Sequence, residues 1–408
     1  MSDRIVVKIE KIVQQGFGLG KTDAGAAYYV PFSVPGDAAE IEVVDSERKL
    51  ASLKSLLVPS CDRVVPPCPY FGCCGGCQLQ ALRYESQLEA KKGLLKDALM
   101  RFGAIDLDVE PEVVPSPQVY GYRSRVRLKR NSGGAEIGYF AANSHKLVPI
   151  ANCRIAVPAI CAWIERYAKD ADLRQLFGQS QELEITAYPG DTCVLVANDQ
   201  RTWLFDSTTG ARIEGEPTVR RIPHVDGTYL YMGSRGFVQA NPFVNQAMVR
   251  AACNLLKEEQ DSILELFSGN GNFTLPLARR CARVTAIEVV GEAIGRARRA
   301  AEELGLSSRI EFLHKGALAG LELKRRDGFY EAVLLDPPRE GASLEVMNAL
   351  LAYAPKKILY VSCHAIRLAH ELRPLLRKDR YRIGSITIFD QFPQTSHIEA
   401  MVLLRRTR

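Results

Sequence analysis

Ile263-Leu264-Glu265-Leu266-Phe267-Ser268-Gly269-Asn270-Gly271-Asn272-Phe273-Thr274 decides the fold class. Its first five residues read as a buried strand. Gly269 and Gly271 then let the backbone turn tightly and approach a ligand closely. The next strand, Val284–Val289, carries Glu288, where a carboxylate can accept ribose hydroxyls. A dinucleotide fold would want a third glycine at position 274, and Thr274 stands there instead. A donor without a pyrophosphate, such as S-adenosylmethionine, does not need that third close approach. A plain strand-to-helix turn would contain the same two glycines, so the acid after the next strand is what points to a nucleoside-type cofactor.

Outward from this stretch, apolar strands and helical segments alternate. Ile310–His314, Ala332–Leu335 and Ile358–Ser362 continue the strand series, and a terminal strand covers Met401–Leu404. Such alternation predicts a parallel sheet covered by helices, an α/β domain over residues 237–408. Residues 1–58 read instead as short strands (Ile5–Ile12, Ala27–Pro31, Ala39–Val44) broken by turn signals such as Pro35-Gly36-Asp37. That pattern suits a small OB-like β-barrel, either RNA-binding or purely structural. Residues 59–236 form a β-rich central region with a helix over 83–102 able to pack on the catalytic domain. The fold class is therefore multidomain α/β.

Of 408 residues, 47% are apolar, and 53 Lys+Arg against 47 Asp+Glu leave a net charge of +6. That mild excess is compatible with a polyanionic partner. No apolar run is long enough for a bilayer span, and the N-terminal residues read as a strand rather than a signal peptide. The expected location is the cytoplasm, away from membranes. There the 11 cysteines should be thiols, ligands or nucleophiles. Four of them crowd into Cys68-Pro-Tyr-Phe-Gly-Cys73-Cys74-Gly-Gly-Cys77, and Cys153 follows downstream. The spacing suits a metal or iron–sulfur site. Four thiolates would equally make a tetrahedral zinc site, and Cys73 competes with Cys74 as a ligand. Cys61, Cys161, Cys193, Cys253 and Cys281 read as buried small hydrophobes.

Two further blocks follow buried strands. In Leu334-Leu335-Asp336-Pro337-Pro338-Arg339-Glu340-Gly341 the prolines stiffen the loop that presents Asp336. In Ile358-Leu359-Tyr360-Val361-Ser362-Cys363-His364 the cysteine lies at the strand's end, where ligands of open α/β sheets sit. Together with Phe392-Pro393-x-Thr395-x-His397-x-Glu399, these blocks resemble the class I RNA uridine-5-methyltransferases over nearly the whole chain. The resemblance implies that Cys363 is the nucleophile and Glu399 the base. It assigns Gln239, Phe267, Glu288 and Asp336, with Asn272 in the glycine loop, to S-adenosylmethionine. It also implies that Cys68, Cys74, Cys77 and Cys153 hold a 4Fe–4S cluster and that residues 1–58 are a TRAM domain. The subgroup with both additions modifies large-subunit (23S) ribosomal RNA, and a transfer-RNA substrate is the alternative. Two departures stand out. His364-Ala365 replaces the family's common Asn-Pro, and Lys315-Gly316 replaces a common cofactor-contacting Asn.

The chemistry accounts for these residue types. Carbon 5 of uracil is a poor nucleophile until a thiolate adds at carbon 6 and makes an enolate. A base must then remove the carbon-5 proton so that the thiolate can leave. A free thiol of ordinary pKa is about 3% ionised at pH 7. Full ionisation would therefore gain at most about thirtyfold, roughly 2 kcal/mol. Exocyclic-amine methylation also uses Asp-Pro-Pro but needs no cysteine, and a binding or assembly factor without turnover would need neither Cys363 nor Glu399. For RNA contact, Arg123, Arg125, Arg127 and Lys129 alternate along one strand and should share a face suited to tracking phosphates. Arg296, Arg298 and Arg299 read as an exposed helix face. No obligate protein partner is expected.

Overall fold

The computed structural model describes residues 4–407 except 132, 179, 190–191, 198–200, 207–211, 215–218, 234–235, 257–261, 328–329 and 378. Strands β1 (Ile5–Val13), β2 (Phe17–Lys21), β3 (Ala27–Val30), β4 (Ala38–Asp45) and β5 (Leu50–Val58) close a barrel in the order β1-β2-β3-β5-β4, as expected for an OB-like unit. Alternation along β1 turns Val7 and Ile9 inward, where they pack with Val30, Ile41 and Ala51. A register shift between Ile9 and Lys11 then re-aims the strand, and Ile12 joins the core of the C-terminal domain. The barrel is thus seated on the catalytic domain, and Lys11 adds an ion pair to Asp97.

Helix α1 (Tyr84–Ala98) buries Leu94, Leu95 and Ala98 in that same core. Strand β6 (Glu112–Val114) follows. The central sheet contains β7 (Arg125–Arg130), β8 (Ile137–Phe140), β9 (Leu147–Pro149), β10 (Glu182–Tyr188), β11 (Thr192–Ala197), β12 (Thr202–Asp206) and β13 (Arg212–Glu214), in the order β13-β12-β11-β10-β7-β8-β9. Helices α2 (Pro158–Lys169) and α3 (Ala171–Leu176) supply its second layer, and Trp163, Tyr167, Phe177 and Trp203 fill the interface. Strands β14 (Arg220–Pro223) and β15 (Tyr229–Met232) form a separate hairpin.

The last domain runs α4 (Pro242–Leu256), β16 (Ile263–Leu266), α5 (Thr274–Ala278), β17 (Val284–Glu288), α6 (Gly291–Glu303), β18 (Ile310–His314), α7 (Ala317–Asp327), β19 (Ala332–Leu335), α8 (Leu344–Tyr353), β20 (Lys357–Ser362), α9 (Ala365–Leu376), β21 (Tyr381–Phe389) and β22 (Glu399–Arg406). Its sheet order is β18-β17-β16-β19-β20-β22-β21-β6. Strands β18 to β20 are parallel, and the order reverses between β16 and β19. That reversal is the topological switch point where such sheets bind ligands.

The structure differs from the sequence expectations in three places. The sheet is mixed: β22 runs antiparallel to both β20 and β21. Strand β21 has no counterpart in the sequence reading. The expected 59–236 unit is not self-contained either. Strand β6 extends the catalytic sheet, and Leu230 and Tyr231 of β15 share a core with Met248 and Leu256 of α4. Local composition does not show this, because each element buries its apolar face against strands far away in sequence. No helix among the described residues is long and apolar enough to cross a membrane.

Candidate active site

The first ligand-facing loop leaves β16 at Phe267, whose φ of +63° is unusual for a residue with a side chain. Gly269 (φ +55°) and Gly271 (φ +91°) complete the turn. A Cβ at Gly269 would meet nothing within 4 Å, so space opens above the loop, whereas one at Gly271 would press on Leu275 at 3.1 Å. Glu288, at the end of β17, accepts hydrogen bonds from the amides of Gly269 (2.9 Å), Val289 (2.8 Å) and Val290 (2.8 Å). These bonds aim the carboxylate but use three of its roughly four acceptor positions. A second ribose hydroxyl would therefore have to displace one of them. Val289 and Val290 are exposed just beyond it, an apolar edge beside the acid. Lys315, at the family departure, is exposed and donates its amide to Glu288 O at 3.0 Å.

Two cofactor assignments meet other partners. The Asn272 amide exchanges two hydrogen bonds with Asn245 of α4, at 2.9 and 3.0 Å. Its side chain thus anchors the glycine loop to α4. Gln239 accepts from Gln391 Nε2 at 3.0 Å, linking the segment before α4 to the β21–β22 loop. Beneath the loop, Glu265 is buried and accepts from Thr274 Oγ1 at 2.6 Å. Burial raises its pKa to about 8, so it is a neutral acid that pins the start of α5.

Asp336, Cys363 and Glu399 converge at the adjoining strand ends. Cys363 follows β20, and Glu399 opens β22 at 3% exposure. Burial lifts Asp336 to about 7. Glu399 is raised well above the carboxylate range, first by burial and then by Asp336. Cys363 is pushed up to about 12 by burial and Glu399, with Arg339 pulling the other way. These surroundings favour the protonated thiol. Arg339 Nη2 donates to His397 Nδ1 at 3.2 Å, so the imidazole carries its proton on Nε2. His364 caps α9, its Nδ1 accepting from the Arg367 amide at 3.3 Å. An asparagine at that position would cap a helix in the same way. The Cys363–His364 turn is thus regular despite the departure in sequence.

The cysteine segment lies against the central sheet. Cys74 and Cys77 each feel the charges of Cys153 and Cys68, and burial lifts their pKa values to about 11 and about 12. A Cβ on Gly75 would stand 2.8 Å from Phe140 O, so only glycine lets the turn lie so close. Among the described residues no three His, Cys, Asp or Glu side chains are arranged to hold a metal ion. Donor type and proximity fit a thiolate-bound group, but the sulfurs do not already surround one. Of the other cysteines, Cys193, Cys253 and Cys281 are buried as expected, whereas Cys61 is exposed.

The basic row does share one face, but it is not free. Arg125 pairs with Glu184 at 2.5 Å, Arg127 with Glu182 and Glu184 at 3.1 Å each, and Lys129 with Glu182. Both acids come from the neighbouring strand β10, in register with Lys129 and Arg127. Arg123 lies before β7 and donates to Arg125 O at 3.0 Å. The expected phosphate track is therefore largely neutralised across the strand pair. On α6, Arg298 and Arg299 are exposed as expected and Arg299 pairs with Glu303, whereas Arg296, paired with Glu292, keeps only 15% of its side chain exposed and is not part of an open face.

Comparison with known proteins places this geometry. Residues 218–407 match the family described as tRNA (Uracil-5-)-methyltransferase. A relative from Pectobacterium atrosepticum named 23S rRNA (uracil(1939)-C(5))-methyltransferase RlmD is 33% identical over 431 aligned residues, covering 98% of this chain and 93% of its own. A Nitrosospira multiformis protein of the same name is 31% identical, covering 98% of each chain. The chain belongs to the RNA uracil-5-methyltransferase family. Among solved structures, the Pyrococcus abyssi tRNA (uracil-54, C5)-methyltransferase in complex with S-adenosyl-L-homocysteine matches with a TM-score of 0.73 and 26% identity, over 98% of this chain and 100% of that one. For this uracil-5-methyltransferase, sequence reading missed the Arg339–His397 pair, the Asn245 anchor and Gln391. The Arg in Asp-Pro-Pro-Arg and the His two residues before Glu399 were visible signals. Asn245 and Gln391 carried none.

Proposed function

We propose that the protein transfers a methyl group from S-adenosylmethionine to carbon 5 of a uridine in 23S ribosomal RNA, at the position its relatives are named for. The observation that carries the reading is the meeting of Cys363, Glu399, Asp336 and Arg339 at the ends of β19, β20 and β22, beside the switch point. Bound S-adenosylmethionine supplies an electrophilic sulfonium methyl group. Phe267, Gly269, Gly271, Glu288, Asp336 and Gln239 would surround it, with Val289 and Val290 offering the apolar edge for its base. Cys363 must lose its proton and add to carbon 6, which places the electron pair on the ring as an enolate. Arg339 is the cation at hand that favours both thiolate and enolate. After carbon 5 takes the methyl group, Glu399 removes the proton there, the double bond re-forms and the Cys363 thiolate leaves. A carboxylate whose pKa is raised by burial is a stronger base once ionised.

Cys68, Cys74, Cys77 and Cys153 would hold a 4Fe–4S cluster with a structural role, and residues 1–58 would act as a TRAM domain on RNA in the cytoplasm. Protein purified without oxygen should carry about four iron atoms per chain. Zinc in their place would overturn the cluster assignment. A transfer-RNA substrate is the second reading, favoured by the solved relative's full-length match. Mapping 5-methyluridine in ribosomal and transfer RNA with and without the gene separates the two. RNA bearing 5-fluorouridine tests the chemistry, because fluorine blocks proton removal and leaves Cys363 bonded to the ring. Release of that RNA on denaturation would contradict the covalent route and leave only a binding factor.

A further inference from the structure

The loop of residues 390–398 joins β21 to β22, and the Phe389–Glu399 pairing closes its base. This loop roofs the reactive groups: Thr395 is 1% exposed, Ile398 6% and Glu399 3%. Internal bonds close a turn from Phe392 to Thr395, but one residue inside it is held in a disfavoured conformation. Gln394 adopts φ +69°, a left-handed conformation disfavoured for a residue with a side chain, while only 2% exposed.

The segment over residues 78–91 holds that conformation from outside. Gln87 Oε1 accepts from the Gln394 amide at 3.0 Å, and Gln87 Nε2 donates to Gln394 Oε1 at 3.0 Å. The amides of Gln78 and Leu79 both donate to Gln394 O, at 3.1 and 3.0 Å. Gln78 Oε1 also accepts from the Ser396 amide at 3.4 Å. Lys91 and Asp390 form an ion pair with both side chains fully buried, and Lys91 Nζ donates to Phe392 O at 2.9 Å. Tyr84 OH donates to Asp390 Oδ2 at 2.8 Å. Beside its own Thr395–Phe392 turn and the bond from Tyr122 OH to Pro393 O, the loop's buried main chain thus takes partners from a segment about three hundred residues upstream, beginning one residue after Cys77.

We propose that Gln87 and Gln78 are positioning residues for the proton-removal half of the reaction. By fixing Gln394 (Gln87) and the Ser396 amide (Gln78) they hold the 390–398 loop closed over Glu399 and keep His397 against Arg339. Neither residue touches the reacting atoms. Cys363 follows β20 and lies outside the loop, so the clamp reaches thiol addition only indirectly, through the His397–Arg339 contact. Proton removal depends on it directly, because Glu399 stands at the junction of strand and loop, where loosening admits water and frees its side chain. A displacement of about 1 Å at a catalytic group costs on the order of a hundredfold.

This inference rests on the covalent mechanism above, and the test separates the two. Full-length wild type, Gln87→Leu and Gln78→Ala would be mixed with S-adenosylmethionine and unmodified substrate RNA in a single turnover. Denaturant-stable protein–RNA adduct and released methylated RNA would both be followed with time. In Gln87→Leu the adduct should decay roughly tenfold to a hundredfold more slowly, a far larger change than in its rate of formation, with the KM for S-adenosylmethionine unchanged. Decay at the wild-type rate in a folded variant would overturn the inference. So would a parallel loss of cofactor affinity and adduct formation, which marks general loosening. Gln78 is only half-buried, and Gln78→Ala keeps its main-chain bond to Gln394 O while losing the Ser396 contact, so a smaller slowing of adduct decay is expected; no slowing at all would overturn the inference if Gln87→Leu does not fold. Failure of wild type to form any adduct on 5-fluorouridine RNA would instead overturn the covalent mechanism itself.

Discussion

The most unexpected property of the site is how strongly the resting protein protects its nucleophile, and alkylation kinetics measure it directly. Burial and the neighbouring Glu399 push the Cys363 thiol up to about 12 against the single opposing cation, Arg339. Relative to a free cysteine near 8.5, the thiolate population at pH 7 falls by about three thousandfold. Each thiolate gains nucleophilicity with its pKa, roughly 25- to 55-fold over that interval. The net expectation is alkylation about a hundredfold slower than a free cysteine peptide. The rate should rise about tenfold per pH unit between pH 7 and 10, because the thiol stays mostly protonated throughout. Iodoacetamide labelling followed by mass spectrometry of the Cys363 peptide measures this, with exposed Cys61 and Cys73 as internal references. Arg339→Ala removes the cation that favours the thiolate and should slow labelling. Labelling at pH 7 as fast as the exposed cysteines, or a plateau below about pH 9, would refute the reasoning. If the expectation holds, RNA and cofactor must themselves create the conditions in which the thiol ionises.

Other outcomes follow from the same geometry. Glu399→Gln on normal RNA should accumulate the Cys363 adduct, with release slowed about 10²- to 10⁴-fold, and rapid turnover by that variant would remove Glu399 from the base role. Lys91→Met leaves Asp390 buried without its cation and should cost about 3–5 kcal/mol in denaturant unfolding. A loss below about 1 kcal/mol would mean that Tyr84 alone suffices for Asp390. Glu182→Gln with Glu184→Gln would free Arg125, Arg127 and Lys129. If β7 faces RNA, binding should tighten and its salt dependence steepen, and an unchanged slope removes this strand from the RNA path.

Reading outward from Ile263 located the catalytic domain because the cues there are local. An apolar strand, a glycine turn and an acid at the end of the next strand are each legible within a few residues, as are the strand ends that present Asp336 and Cys363. The mixed edge of the sheet was harder. Strand β21 is broken by Gly384, where the β21–β22 register shifts, so its alternation is irregular. The β7 row illustrates the opposite limit. Period-2 spacing correctly places Arg125, Arg127 and Lys129 on one face, but whether that face is charged depends on Glu182 and Glu184 across the sheet.

The sequence alone determined which chemical groups this protein has: a thiol and a carboxylate at strand ends, a loop built for a nucleoside cofactor, and four crowded sulfurs near a fifth. Only the tertiary structure decided what state those groups are in. It buries Glu399 under a loop clamped by Gln87 and Lys91, holds Cys363 protonated, and cancels the β7 cations. Bond-forming capacity belongs to a residue type, whereas pKa, pairing and orientation belong to neighbours that the chain brings together only when it folds.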